Sequence, residues 1–382
     1  KHAEGISFRE WNSGTQIDEN MSSEGFNIEI AMNKNNGFVY GGNKHNCGTW
    51  MDKMGSAAFV NQGNPASSRH GANVEIVSLV YYSLVFFDQL FGSIEKYKDC
   101  TKLKLSNLLV KFSDWAELIR INFEREFMIV RSLDVEEPNK AGKSSKTGSV
   151  KSINSKEEKD GMRKSKNNST SSFSNPRVSK GFGFDRSASV KDLQDQQAEN
   201  LLLKPTKNVT LKDFVYYRDV LCEDKSQEIM VRPNYIIALA LTPELFTREN
   251  ALKAIKTFEE LLLVEGCMGV RTLSKYDEDY NGYYNNSDST QGFNYHSGPE
   301  WLWPMGYYLM AKKNFNSFSD QKTEMAKILQ RILLPHMKHM KDSPWGGLPE
   351  LTNANGEFCS GSCPTQAWSV ATILEAISKI NR

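Results

Sequence analysis

Long apolar stretches with helical period alternate with long segments crowded with glycine, asparagine and tryptophan, and that alternation limits the fold more than any single motif. Val74, Ile76, Val77, Leu79, Val80, Tyr82, Leu84, Val85, Phe87, Leu90 and Phe91 make a run too long for a strand. The spacing therefore predicts a buried helix over 74–97. The stretch 103–131 repeats the theme through Leu105, Leu108, Phe112, Trp115, Leu118, Ile119, Phe123 and Phe127. Further helices are predicted over 232–241, 247–264, 298–312, 319–341 and 363–380, with Thr247 as a helix start. Residues 1 to about 70 are rich in turn formers, such as Asn33-Lys34-Asn35-Asn36-Gly37, and read as loops with a few short strands. Apolar helices whose ends carry polar, aromatic loops imply an all-α bundle or toroid.

A chain of 382 residues with 39% apolar content can bury the core of one large domain. That domain is expected to be interrupted: 1–137 and 198–382 form its two parts, and 138–197 is a Ser/Lys-rich insertion without hydrophobic period, expected to be disordered. The net charge of +1 hides a split, because residues 139–190 carry twelve Lys/Arg against four Asp/Glu, leaving the remainder acidic. The insertion has only Phe173, Phe182 and Phe184 as aromatic residues, so it offers no stacking platform and nucleic acid is not an expected partner. No stretch is read as the roughly 20 apolar residues of a membrane helix, and no apolar leader opens the chain. A soluble, cytoplasmic protein is expected. Six scattered cysteines fit free thiols better than a disulfide framework. Cys359 and Cys363 lack a second pair at zinc spacing, and His336 and His339 fit a solvated helix face, so no metal and no cofactor are expected.

Two acidic residues far apart in sequence, Asp52 and Glu350, each sit in a stretch dense with indole, glycine and amide groups. Asp52 follows Trp50 in Gly48-Thr49-Trp50-Met51-Asp52-Lys53-Met54-Gly55 and suits a general acid partly desolvated against an indole. Glu350 follows Trp345-Gly346-Gly347-Leu348-Pro349, where proline aims it, and suits a base holding water. A third stretch, Tyr295-His296-Ser297-Gly298-Pro299-Glu300-Trp301-Leu302-Trp303, is read as a helix mouth. Tyr295, His296 and Glu300 there could bind sugar hydroxyls, and Glu300 competes with Glu350 as base. Trp50, Trp301 and Trp345 offer faces on which a pyranose stacks. Arg9 and Trp11, in Phe8-Arg9-Glu10-Trp11-Asn12, add one more mix of charge and indole. Bland readings stay open for each: a turn aspartate, a helix-cap glutamate, a core histidine, core tryptophans and a surface Arg9–Glu10 pair. A pair of carboxyls flanking a glycosidic bond is the usual apparatus of its hydrolysis.

Longer motifs narrow the reading. Asn46-Cys47-Gly48-Thr49-Trp50-Met51-Asp52-Lys53-Met54-Gly55, Tyr295-His296-Ser297-Gly298-Pro299-Glu300-Trp301-Leu302-Trp303-Pro304 and Gly347-Leu348-Pro349-Glu350-Leu351-Thr352-Asn353 resemble the C-terminal amylo-α-1,6-glucosidase part of eukaryotic glycogen debranching enzymes. Arg232-Pro233-Asn234-Tyr235 and Cys363-Pro364-Thr365-Gln366-Ala367-Trp368-Ser369 extend the resemblance to nearly the whole chain outside the insertion. The resemblance implies an (α/α)6 toroid, here lacking early helices, with an inverting site whose acid is Asp52 and whose base is Glu350. It implies glycogen or a limit dextrin as substrate, with one glucose released from an α-1,6 branch stub. The family's glucanotransferase activity belongs to a separate N-terminal part, which makes that part an expected partner within a longer enzyme. A glucan-binding fragment without turnover, and an exo-glucosidase on a related toroid, are the competing expectations.

Overall fold

The computed structural model describes residues 5–10, 26–43, 46, 48–55, 65–105, 108–136, 209–222, 229–285, 294–315 and 321–381. The expected insertion at 138–197 and Trp11 lie outside the described residues. The chain divides into two compact units, one of Lys1–Leu133 with Asp213–Arg382 and one of Asp134–Lys212.

Strands β1 (Ile6–Glu10), β2 (Phe26–Met32) and β3 (Val39–Tyr40) form an antiparallel sheet, with Ile6 opposite Ile30 and Ala31 opposite Tyr40. This matches the loops and short strands expected there. Strand β4 (Ala72–Asn73) leads directly into helix α1 (Val74–Gly92), where Val74, Val77, Tyr81 and Leu84 are buried. The opposite side of α1 exposes Leu79, Tyr82, Phe86, Phe87 and Leu90. By length and composition alone α1 is apolar enough to cross a membrane, which corrects the sequence reading that no stretch reaches that threshold. Its Glu75, however, is buried in an ion pair with Arg69.

The long helix expected over 103–131 is four elements. Strands β5 (Lys102–Leu105) and β6 (Leu108–Lys111) pair as a hairpin before α2 (Phe112–Phe127), and β7 (Met128–Glu136) follows it. The physical reason is period: Lys102-Leu103-Lys104-Leu105 alternates strictly, which is a strand pattern. Within α2, Trp115, Ile119, Phe123 and Phe127 recur at helical spacing and are buried. Beyond β8 (Val209–Tyr217) and β9 (Val220–Leu221), which pairs with β4, come α3 (Tyr235–Leu241) and α4 (Arg248–Leu261). Pro233 explains why α3 begins at Tyr235 rather than at Arg232. The remaining helices are α5 (Pro304–Phe315), α6 (Gln321–Asp342) and α7 (Ala367–Ile380).

Seven α-helices therefore occur among the described residues, and they dominate five small sheets. The architecture is mostly α rather than all-α. Helix α3 is buried on all sides and packs between α1 and α5; α2 lies against α1, and α7 against α5. The last contact is close: a Cβ on Gly306 of α5 would run into the carbonyl of Thr372 on α7.

Candidate active site

The helix mouth expected at Pro299 is instead a strand. β11 (Glu300–Trp301) is the centre of a three-stranded sheet between β10 (Val270–Arg271) and β12 (Leu351–Thr352), with Trp301 opposite both Val270 and Leu351. Glycine and proline at 298–299 break the chain before it can begin a helix, and α5 starts only at Pro304. This sheet is small, but it brings the 295–301 and 347–352 motifs together.

Glu350 directly precedes β12 and is fixed on both sides of its backbone: its N–H donates to the Cys363 carbonyl (3.0 Å) and its carbonyl accepts from Leu302 (3.2 Å). Its carboxylate is held as well. Tyr295 donates its hydroxyl to Oε2 at 2.5 Å, and Gln366, just ahead of α7, donates Nε2 to Oε1 at 3.0 Å. Burial, and after it the hydrogen bond to Glu350 and that group's charge, pushes the Tyr295 hydroxyl well above its ordinary value, so that it remains a donor. Glu350 itself is only partly buried, so a water or sugar can still reach it.

Around Glu350 the aromatic side chains form one connected body. The Trp50 ring meets His296, Trp301 and Trp303 edge-on at centroid distances of 5.1, 5.1 and 4.8 Å, and Trp368 at 6.2 Å. Trp303 and Trp368 stack at 4.1 Å and 10°, while His296 lies over Trp301 at 5.1 Å. Such ring pairs are each worth about 0.5–1.5 kcal/mol beyond the area they bury. The body also has an internal strut, since the Trp301 indole donates to the Tyr295 carbonyl at 3.0 Å.

The Asp52 segment is attached to this body at its two flanks. Trp50 sits in it, Met51 is fully buried, and the ammonium of Lys53 lies 5.6 Å from the centre of the Tyr295 ring. The Lys53 carbonyl accepts from Ala66 at 2.9 Å. With both neighbours anchored, Asp52 is left as the exposed residue between them. Protein packing alone thus does not supply the desolvation expected for this carboxyl; a sugar closing over it would have to.

Several predicted sugar contacts lie beneath the surface. Glu300 has no exposed area, and its carboxylate accepts from the N–H groups of Asn355 (3.0 Å) and Gly356 (3.1 Å) and from the Thr352 hydroxyl (3.4 Å). Burial raises its carboxyl above the usual range against those donors. Its bonds fix the turn after β12 rather than leaving an oxygen for a hydroxyl. His296 and Trp301 are also buried, and burial drives the His296 ring well below its ordinary value. They form the floor of the cluster. Trp345, by contrast, is 66% exposed and offers a free face. Arg9 lies on β1 and donates to Asn27 across the β1–β2 pair at 3.0 Å.

The sequence reading assigned no role to Gln366, Trp368 or Asn234. Gln366 and Trp368 carried a signal, lying beside each other where a polar loop runs into α7, but only tertiary contact reveals that one binds Glu350 and the other closes the indole body. Asn234, whose amide oxygen accepts from the Trp50 indole at 2.6 Å, lies in the Arg232–Tyr235 motif of the resemblance, but nothing in that motif marks this contact. Two grooves of about 560 and 450 Å3 lie elsewhere, one beside Gly41, His70 and Cys222, the other among α4, α5 and α6; neither is lined by Asp52 or Glu350. Among the described residues no group of three or more His, Cys, Asp or Glu side chains is arranged to hold a metal.

Residues 1–375 match the family described as amylo-alpha-1,6-glucosidase. The chain is also 32% identical to the glycogen debranching enzyme of Saccharomyces cerevisiae over 98% of its own length, while spanning only 21% of that relative. Motifs in Asp52's loop, in the Tyr295–Trp301 turn and strand, and before β12 thus converge in space within a chain that belongs to the amylo-α-1,6-glucosidase family.

Proposed function

We propose that this chain is an inverting glycoside hydrolase of the debranching type, carried on a toroid of helical hairpins, which releases free glucose from single-glucose α-1,6 stubs on glycogen-type limit dextrins. The observation that carries this reading is the dressing of Glu350: two donors, one to each oxygen, orient a part-exposed carboxylate beside an aromatic body to which the Asp52 loop is also tied. Glu350 acts as general base, taking a proton from the water that attacks C1. Asp52 acts as general acid, protonating the O6 leaving group of the main chain. The two carboxyls of an inverting enzyme stand roughly 6.5–9.5 Å apart, leaving space for that water. Trp345 is the indole with a free face for the glucose or the chain beside it. The reaction needs neither metal nor cofactor, because carboxyl chemistry supplies both proton transfers. A cytoplasmic location would place the enzyme with such dextrins, and the rest of a longer debranching enzyme is the partner that fits the short span of the match.

The test compares glucose release from a dextrin bearing single-glucose branches by the unaltered chain and by Asp52→Asn and Glu350→Gln. Losses of about a thousandfold or more in both variants are expected. Equal release from all three would remove the assignment, and no release from any of them, with retained dextrin binding, would favour a glucan-binding piece.

A further inference from the structure

We propose that the buried side chain of Asp219 is a positioning residue for the candidate acid, acting through Arg69 and Asn234 on the two residues that precede Met51 and Asp52. Asp219 stands between β8 and β9 and is 4% exposed. Its Oδ2 accepts from Arg69 Nε at 2.6 Å, and its Oδ1 accepts from Asn234 Nδ2 at 2.7 Å and from Arg69 Nη2 at 3.1 Å. From there two arms run outward. Arg69 Nη1 donates to the Thr49 hydroxyl oxygen at 2.8 Å, and Asn234 Oδ1 accepts from the Trp50 indole at 2.6 Å. The arms end on consecutive residues of the loop that carries Asp52. Thr49 Oγ1 also accepts from the Met51 N–H at 3.3 Å, so the same hydroxyl sets the backbone direction into Asp52.

The chemistry of the cluster fits a positioning task. Arg69, Glu75, Asp219, Arg232 and Asn234 are all at least nine-tenths buried, and the two cations are balanced by two carboxylates. Burial would lower the Arg69 guanidinium, but Asp219 and Glu75 outweigh it and keep the group firmly charged. A buried ionic cluster is a poor way to gain stability, since apolar residues of equal volume do as well; its directional bonds specify geometry instead. The third branch supports the same view. Arg232, whose Nε lies 3.8 Å from Asp219 Oδ2, donates Nη1 to the carbonyls of Thr272 (3.3 Å) and His296, and so reaches the turn whose Tyr295 holds Glu350. One buried carboxylate therefore links the loop that bears Asp52 to the turn whose Tyr295 holds Glu350.

This inference rests on Asp52 being the acid, and its test separates the two. Thr49 is partly exposed, so Thr49→Val removes the end of one arm without opening the core, while Thr49→Ser restores the hydroxyl. In the full chain, Thr49→Val is expected to lower kcat for glucose release by about ten- to a hundredfold, with KM within about threefold and a melting temperature within a few degrees of the parent. Thr49→Ser is expected to recover kcat to within about twofold, and Asp219→Asn to lose at least as much kcat as Thr49→Val. Independently of activity, hydrogen exchange of the 48–55 backbone should accelerate in Thr49→Val and not in Thr49→Ser. Unchanged exchange in that segment, or a parent-like kcat for Thr49→Val, would overturn the proposal. If the parent chain releases no glucose, the function falls while exchange still decides the positioning role.

Discussion

Tyr295 and Gln366 each satisfy one oxygen of Glu350, so their removal tests how far orientation of the proposed base governs turnover. Tyr295→Phe keeps the ring that packs on Trp301 and deletes only the hydroxyl; kcat should fall about ten- to a hundredfold with little change in dextrin affinity, read from steady-state glucose release and a binding isotherm. His296 makes a separate prediction about stability. Its folded value lies well below that of the unfolded ring because of burial, and His336 is lowered for the same reason. Above about pH 6.5 both states are neutral and the full stability is present; as pH falls below that value the unfolded chain gains protons that the folded chain refuses. The unfolding free energy from denaturant titration should therefore decline between about pH 6.5 and 5, by up to roughly 1.4 kcal/mol per pH unit for each such ring, and His296→Phe should flatten part of that slope. At this scale the sequence singled out Asp52 and Glu350, because each sits in a dense motif, but did not show which polar residues are buried. Glu300 and His296 look identical to surface ligands in a string; only the sheet over them makes them a floor.

The elements that place the site are short, and that is why they escaped notice. β10, β11 and β12 have two residues each, too few to display a period, and Glu300-Trp301 instead resembled the first turn of a helix behind Pro299. The hairpin of β5 and β6 alternates clearly, but it adjoins α2, and the merged stretch passed as one helix. Long helices were legible because burial repeats along them: α1 and α2 fell within the stretches expected, as did α4 behind Thr247. The α5–α7 contact gives an element-scale prediction. Because Gly306 faces the Thr372 carbonyl without room for a side chain, Gly306→Val should force the helices apart and cost about 1–3 kcal/mol or more in denaturant unfolding. Gln366 and Trp368 ride on the start of α7, so the same variant should also reduce kcat; a stable, fully active Gly306→Val would contradict this account of the packing.

At the scale of the whole molecule, a mostly helical body presents its chemistry where loops and two-residue strands meet the helix ends, with one indole from the Asp52 loop packed among three from the other motifs. The family was legible from the motifs, and the match over residues 1–375 agrees with it. The proposed inverting mechanism predicts a stereochemical outcome. Water attacking from the face opposite an α-linked leaving group yields β-glucose, whereas attack by a carboxylate followed by hydrolysis returns the α-anomer. The most direct test is time-resolved proton NMR of the glucose first released from a dextrin with single-glucose α-1,6 branches, before mutarotation. The account predicts that the β-anomer appears first and converts to α; an initial burst of α-glucose would contradict it.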